Sequence, residues 1–248
     1  MGQRNRITVS TPNDESNARK AGWQHQMKFS CAGTGSKGNC YSIRDPDGEI
    51  LLLECGLPKE KVMSLIDYRI SDVVGCAVSH EHSDHYSAST AKALKKFGVP
   101  MITPHMEKVD SLKGENFAVR KFPVIHDVPC YGFYITNRHL GKILYITDTE
   151  YVRLNFKHLA VDYIIVECDY QAELVDLENP KTRRAFQTHM ELQTCLEFIK
   201  ANQTDNLKAV ILVHMSQDGL NKQFAKNLIE TEVGLPVYLA EKGKEIEV

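Results

Sequence analysis

The chain has 248 residues, which is enough for one large domain or two small ones. Its hydrophobic fraction of 42% and charged fraction of 25% are ordinary for a soluble globular protein. The formal net charge of −2 excludes a global basic field that would draw the chain onto nucleic acid. No apolar run is long enough to span a membrane, and the first residues lack the apolar core of a secretory signal, so we expect no membrane partner.

The cysteines indicate a reducing compartment. There are seven of them, and no two form a closely spaced pair. An odd number of scattered cysteines without a secretory signal is typical of reduced thiols in a cytosolic protein. Most of them lie in apolar runs, where a thiol acts as a small core residue. We therefore expect a cytoplasmic protein.

Two regions are predicted along the chain. Residues 1–26 are polar and show no steady hydrophobic period, which predicts a flexible N-terminal extension. The first strand-like run covers residues 27–31, so we expect one folded domain over residues 27–248. Helices are predicted where apolar residues recur at helical spacing, over residues 59–67, 88–97, 189–201 and 217–231.

A glycine-rich turn is predicted over residues 33–39, between two strand-like runs. Glycine lets the backbone approach a bound group closely, so the amides of this turn are candidates for holding an anion. Ser36 and Asn39 are then the candidate substrate-binding side chains. A tight hairpin without a ligand explains the same composition, because Gly and Asn dominate such turns.

The densest group of chemically active residues is the sequence His80, His82, Asp84 and His85, directly after a predicted buried strand over residues 72–78. Packing does not explain three imidazoles and a carboxylate crowded together, because they would lose hydration and repel on protonation unless a cation satisfied them. In an extended segment, side chains two residues apart point the same way, so His80 and His82 can bind one metal ion. Asp84 and His85 follow at a turn and can face a second ion. The ligands suit zinc, manganese or iron.

Five apolar, β-rich runs have a polar residue at or directly after their end. Such runs are typical of strands buried on both faces. The polar residues at their ends are Glu54, His80, Asp148, Glu167 and His214. One such ending is ordinary, since every strand must reach the surface. Five of them favour a shared polar site.

The order of these motifs resembles the metallo-β-lactamase superfamily and, within it, the YycJ/WalJ branch. The motifs that carry the resemblance are the turn at 33–39, the cluster at 80–85, and the stretches 126–135, 145–149 and 214–216. The resemblance covers residues 27–248. It implies an α/β (α+β) fold, namely a four-layer αββα metallo-β-lactamase-like sandwich with a metal cleft at one edge between the two sheets.

The same resemblance implies two divalent metal ions, zinc or manganese. In the superfamily pattern the first ion takes three histidines, the second takes an aspartate and two histidines, and a further aspartate bridges. These positions are His80, His82 and His126, then Asp84, His85 and His214, with Asp148 as the bridge. Glu54 stands where the superfamily usually has an aspartate that orients a ligand imidazole, and we expect Glu54 and Glu167 to support ligands in this way.

The branch is associated with DNA exonuclease activity on 5′ ends, so the resemblance implies hydrolysis of phosphodiester bonds in a nucleic acid or nucleotide. Asp84 and Asp148 are expected to hold and orient the nucleophile. His189, at a predicted helix start, is expected to bind phosphate with help from the helix amides. The basic residues Lys181, Arg183 and Arg184 are candidates for the same role. The alternative for His189 is an ordinary surface histidine at a helix start, and the alternative for the basic residues is a solvated surface cluster.

Other functions stay open on the sequence alone. One is hydrolysis of a cyclic nucleotide or another small phosphodiester, which the near-neutral net charge favours over a long duplex. Another is hydrolysis of a lactam, lactone or thioester. A third is a non-catalytic metal-fold protein used for binding, which the intact ligand set disfavours. The sequence also leaves the oligomeric state open, a homodimer included.

Overall fold

A computed structural model describes residues 26–105, 111–175 and 187–248. The predicted N-terminal extension, apart from its last residue, and the basic residues Lys181, Arg183 and Arg184 lie outside the described residues. The described strands are β1 (Lys28–Gly33), β2 (Cys40–Arg44), β3 (Ile50–Leu53), β4 (Val73–Ala77), β5 (Met101–Ile102), β6 (Ser111–Lys113), β7 (Phe117–Val124), β8 (Cys130–Asn137), β9 (Gly141–Ile146), β10 (Tyr163–Glu167), β11 (Ala209–Val213), β12 (Val237–Leu239) and β13 (Glu245–Glu247). The described α-helices are α1 (Lys59–Leu65), α2 (Ala88–Lys96), α3 (Leu192–Asn202) and α4 (Lys222–Val233).

The strands form two sheets. In the described residues, the first sheet has the order β13-β1-β2-β3-β4-β5 and the second has the order β12-β11-β10-β9-β8-β7-β6. Strands β3, β4 and β5 are parallel in the first sheet, and β9 to β12 are parallel in the second. Strands β10 and β11 consist wholly of buried residues, as expected for parallel strands covered on both faces.

Three apolar cores separate four layers. Along β10, Ile165 faces the first sheet, whereas Ile164 and Val166 face α3 and α4, as the period of two in a strand requires. A third core joins the outer face of the first sheet to α1 and α2, with Leu52 and Leu94 among its members. The predicted four-layer αββα sandwich is therefore confirmed.

The parallel strands place polar residues together at one edge of each sheet. The carboxyl ends of β3 and β4 lie together in the first sheet, and those of β9, β10 and β11 lie together in the second. Glu54, Asp148 and His214 come within two residues of a strand end, and Glu167 is the last residue of its strand. Parallel α/β sheets bind ligands at this edge because the chain leaves each strand there in a loop.

Two helices begin later than predicted, and the differences matter for the site. Helix α4 begins at Lys222, because the Asn221 side chain accepts a hydrogen bond from the Phe224 amide and caps the helix there. Helix α3 begins at Leu192, after Glu191, whose carboxylate accepts hydrogen bonds from the first helix amides. Those amides are thus occupied by the chain's own carboxylate, so the prediction that they would help His189 hold an anion is wrong.

All seven cysteines are buried and free of disulfides, which agrees with the prediction of core thiols. Burial raises the pKa of the Cys31, Cys40 and Cys130 thiols, and that of Cys31 reaches about 12. Within the described ranges, the structure contains no helix that is long and apolar enough to cross a membrane.

Candidate metal centre and active site

Three histidine ring nitrogens converge on one point at the edge of the sheets. His80 Nε2 lies 2.9 Å from His82 Nδ1, and His126 Nε2 lies 3.2 Å from the same atom. Ligands on a tetrahedral zinc ion stand about 3.3 Å apart when the bonds are about 2.0 to 2.1 Å, so this spacing fits an ion between them. His126 Nδ1 lies 3.1 Å from the Thr188 carbonyl oxygen, where an N–H would donate and leave Nε2 as a ligand.

Asp148 occupies the centre of the remaining ligands. Its Oδ1 lies 3.2 Å from His85 Nε2, and its Oδ2 lies 3.8 Å from His80 Nε2 and 3.7 Å from His214 Nε2. One carboxylate therefore contacts ligands of both predicted ions, as a bridging group must. Asp84 completes this part, because its Oδ2 lies 3.4 Å from His85 Nε2 and 3.7 Å from His214 Nε2. The structure thus brings together all seven predicted ligands.

His214 supplies a direct test of whether a metal ion fits. Its side chain is buried, and within the described residues neither ring nitrogen makes a hydrogen bond. An unpaired buried polar atom costs about 1 to 3 kcal/mol, so such groups normally have a partner. A cation bound to Nε2 would satisfy the ring, while Glu167 Oε1, at 3.1 Å, is placed to hold Nδ1. The donor set therefore fits divalent metal ions.

The charges of the site also favour cations. Burial, and then the neighbouring His85 ring, lower the pKa of His80 to about 2, which keeps His80 neutral as a metal ligand must be. Burial also opposes charge on His85 and His214, but the neighbouring carboxylates together, Asp148 foremost, outweigh it and raise the pKa of both rings. The pKa is thus lowered at His80 and raised at the two rings nearest the carboxylates. The raised values indicate a negative potential around Asp148, which divalent ions would neutralise.

The backbone is strained at the strand ends that carry the site. Glu54, Asp148 and His214 have φ angles of 63°, 48° and 45°, in the left-handed region that non-glycine residues rarely adopt. Each such residue costs about 1 to 3 kcal/mol unless its surroundings hold it in place. All three follow a parallel strand directly or by two residues. The abrupt turn ends the strand and lets the side chain enter the site.

Glu54 is fully buried and holds two parts of the site. Its Oε2 accepts a hydrogen bond from the Ser79 amide at 3.1 Å, and its Oε1 accepts one from the Tyr145 hydroxyl at 3.0 Å. Oε2 also lies 3.5 Å from His85 Nδ1. Tyr145 belongs to the opposite sheet, so the longer glutamate side chain links the two sheets behind the ligands. This geometry supports the predicted role of Glu54 in orienting His85.

Glu167 and His189 form a pair beside the ligands. Glu167 is fully buried, and its Oε1 lies 2.6 Å from His189 Nδ1. Burial disfavours a charged His189, but the charge of Glu167 and this hydrogen bond outweigh it and raise the pKa of His189 to about 9. The His189 ring stacks on His214 with 5.0 Å between ring centroids and 7° between planes. One ring nitrogen is thus held by a carboxylate while the ring borders the site.

A cavity of about 700 Å³ opens next to this pair. It is lined by the glycine-rich turn, including Ser36 and Lys37, by His189 and His214, and by the loop over residues 215–219. The volume lies within the range of roughly 300 to 1,000 Å³ that is usual for small-molecule sites. Ser36 therefore lies where the predicted substrate contact requires, and its role stays a prediction.

Asn39 has a different position from the one predicted. It is fully buried, its Nδ2 lies 2.9 Å from His85 Nε2, and its Oδ1 accepts a hydrogen bond from the Gly35 amide at 2.7 Å. Nδ2 also donates to the Asp84 carbonyl at 3.3 Å. The side chain has no exposed surface and does not line the cavity. Asn39 thus joins the turn to the predicted ligands, and its substrate-binding role stays a prediction.

Replacing Asn39 with alanine is expected to reduce metal affinity about 10- to 100-fold, which is the usual cost of losing a group that holds metal ligands. The matched control is Ser36→Ala in the same turn, which leaves the ligands untouched. Elemental analysis and metal titration of both variants measure the difference. A rise in KM for Asn39→Ala with normal metal content would instead support the predicted substrate-binding role.

Asp169 is a further residue of the site that was not predicted from the sequence. Its Oδ1 lies 3.8 Å from His214 Nδ1, and the residue lines the cavity although it is buried. Burial raises the pKa of Asp169 to about 6. The spacing in the sequence could have indicated this residue. Asp169 follows Glu167, the last residue of β10, by two positions and so lies at the same strand end.

Known proteins are similar to this chain in sequence and in fold, although no protein-family model matches the chain. The chain is 25% identical over 230 residues to exodeoxyribonuclease YycJ of Bacillus anthracis, covering 81% of this chain and 86% of that protein. The metallo-β-lactamase fold protein YhfI of Bacillus subtilis superposes with a TM-score of 0.65 at 20% identity, covering 90% of this chain and 100% of YhfI. The short form of human tRNase Z gives a TM-score of 0.59 at 17% identity, covering 89% and 98%. The chain therefore has the metallo-β-lactamase fold, as predicted.

Proposed function

We propose that the protein is a dinuclear metal-dependent hydrolase of phosphodiester bonds, and that its substrate is nucleic acid, which it degrades as an exonuclease. The observation that carries the proposal is the joint presence of seven convergent ligands and the Glu167–His189 pair at one open cavity. The similarity to an exodeoxyribonuclease over most of both chains supports it.

The residues of the site have distinct roles in this reaction. His80, His82 and His126 would hold one ion, Asp84, His85 and His214 the other, and Asp148 both. When bound, two divalent ions supply Lewis-acid chemistry: they lower the pKa of water and neutralise charge on a phosphoryl group. Asp84 and Asp148 orient the attacking water through their carboxylate oxygens.

His189 acts on the leaving group. Glu167 holds its Nδ1 and stabilises the protonated ring, so Nε2 donates a proton to the leaving oxygen or binds the phosphate as a cation. Lys37 borders the same cavity and adds positive charge for an anionic substrate. The His189 ring and Lys37 line the same cavity as the predicted ligand His214, so a phosphate bound between them would lie next to the metal centre.

A small phosphodiester such as a cyclic nucleotide is the second candidate. The net charge of −2 gives a long polyanion no general attraction, and a cavity of about 700 Å³ is large enough for one nucleotide. The two candidates share the reaction and differ only in what lies beyond the nucleotide at the metal centre.

The test is a panel of substrates with metal-loaded protein: linear single- and double-stranded DNA, RNA, a cyclic nucleotide and a chromogenic lactam. We expect mononucleotide release from DNA ends, with activity that falls steeply as salt rises, because a bound strand releases counterions. Cleavage of the cyclic nucleotide with a shallow salt dependence would select the small substrate. Rapid opening of the lactam without phosphodiester cleavage would refute both.

A further inference from the structure

A groove of about 380 Å³ lies on the outer face of the first sheet, apart from the cavity at the metal centre. Its floor is Ser30 and Ala32 of β1, and one wall is helix α1 with Lys61 and Ser64. The other wall is the loop over residues 242–244, between β12 and β13. This groove takes no part in the chemistry derived above.

The groove adjoins the metal centre along the chain. Residues 30–32 line the groove, and residues 34–37 of the same segment line the site cavity. At about 3.3 Å per residue, the two linings are roughly 7 Å apart. Leu57, two residues before α1, lies against Gly33 and Gly38 of the glycine-rich turn, so the first turn of α1 also stands at the rim of the site.

The loop over residues 242–244 lies at the same rim. It follows the carboxyl end of β12, which is parallel to the strands whose carboxyl ends carry Asp148, Glu167 and His214. Its backbone is fixed to β1, because the Gly243 amide donates to the Cys31 carbonyl at 2.7 Å and the Cys31 amide donates to the Lys244 carbonyl at 3.2 Å. The groove is therefore a built feature of the sandwich edge.

The charges of the groove are asymmetric. Its two acidic side chains are paired, Asp67 with Arg44 at 2.9 Å and Glu245 with Lys28 at 3.2 Å, although Lys28 is shared with Glu247. Lys244, also in the lining, pairs with Glu241. Lys61 and Lys242 are exposed, and within the described part of the chain neither has an ion-pair partner. The groove and these pairs together carry one positive charge in excess, held on lysines without an ion pair, which a polyanion can neutralise locally.

We propose that this groove binds the sugar-phosphate backbone of a nucleic-acid strand whose end lies at the metal centre, with Lys61 and Lys242 contacting phosphates in the groove and Lys37 contacting one at the site cavity. The proposal deepens the proposed function, because it assumes that the substrate at the centre is nucleic acid. It also explains how a chain of net charge −2 holds a polymer: the contact is local and does not depend on the global field.

The experiment measures binding of a fluorescent single-stranded oligodeoxynucleotide by anisotropy across a range of salt concentrations. The oligonucleotide carries phosphorothioate ends that resist cleavage, and the protein is full-length and metal-loaded. Lys61→Ala with Lys242→Ala should weaken binding several-fold and flatten the slope of log Kd against log salt by roughly 1.4, about 0.7 for each lost phosphate contact. Lys61→Arg with Lys242→Arg should bind like the unmodified protein.

The matched control is Lys95→Ala with Lys96→Ala, which removes two exposed lysines from the last turn of α2, the end of that helix away from the metal centre. An unchanged slope for the groove variant, or an equal change in the control, would overturn the proposal. Hydrolysis of bis(4-nitrophenyl) phosphate distinguishes the groove proposal from the proposed function. The variant with Lys61→Ala and Lys242→Ala should retain this hydrolysis fully, because the substrate is too small to reach the groove. A flatter salt slope in the groove variant alone, in a protein that hydrolyses no phosphodiester, would instead reject the proposed function and retain the groove as a nucleic-acid binding site.

Discussion

Replacing His82 or Asp84 with alanine is expected to lower turnover more than about a hundredfold while the fold is retained. Loss of a group that only supports a ligand costs 10- to 100-fold, so loss of a ligand should cost at least as much. The ring nitrogens of His80 and His126 both lie close to His82 Nδ1. Asp84 contacts the two other predicted ligands of the second ion. The three cores lie elsewhere in the sandwich, so circular dichroism should be unchanged.

Metal content and turnover are measured together for these variants. The unmodified protein, purified without chelator, should contain about two equivalents of transition metal. His158→Ala, which removes an exposed histidine, is the control and should change neither quantity. Activity of more than a few per cent in both His82→Ala and Asp84→Ala, or full activity after complete metal removal, would refute the metal-dependent mechanism.

Replacing His189 with alanine is expected to slow cleavage of DNA by about 10²- to 10⁴-fold, which is the usual contribution of a positioned acid. The reason is that an alkoxide leaving group needs a proton, and the Glu167–His189 pair is placed to supply it. With bis(4-nitrophenyl) phosphate the leaving group departs without a proton, so the same variant should lose far less. Metal content should stay normal, because His189 is not among the predicted ligands.

The comparison between the two leaving groups decides the role of His189. An equal loss on both substrates would indicate that the ring binds the phosphate as a cation and donates no proton to the leaving group. A loss of metal would indicate a structural role beside His214, on which the ring stacks. Glu167→Gln should show the same dependence on leaving group in a weaker form, because the amide still accepts a hydrogen bond from Nδ1 but carries no charge.

Much of the site could be predicted from local patterns. Ligands such as His80 and His82 lie two residues apart on an extended segment, so their convergence follows from strand geometry alone. The polar ends of apolar runs marked Asp148 and His214, because a buried parallel strand must be followed by a loop at the same sheet edge. Family order then assigned His126, whose local sequence carries no such signal.

Tertiary contacts decided the remaining roles. Asn39 and Ser36 occupy the same turn, and only packing against His85 and Asp84 shows that the first is buried and the second lines the cavity. Helix α4 begins five residues later than its apolar spacing predicts, because the Asn221 cap competes with that spacing.

The sequence by itself determined which residue types could hold metal ions and which strands carry most of them, since these depend on residue identity and on short-range periodicity. Their assignment to two ions came from the resemblance to the superfamily. The structure alone determined what holds the supporting groups in place, because Glu54 meets Tyr145 from the opposite sheet, 91 residues away in the chain. The same is true of the groove between Lys61 and Lys242, whose walls come from distant parts of the chain. Contacts at such separations follow from how the two sheets pack, and no local pattern records them.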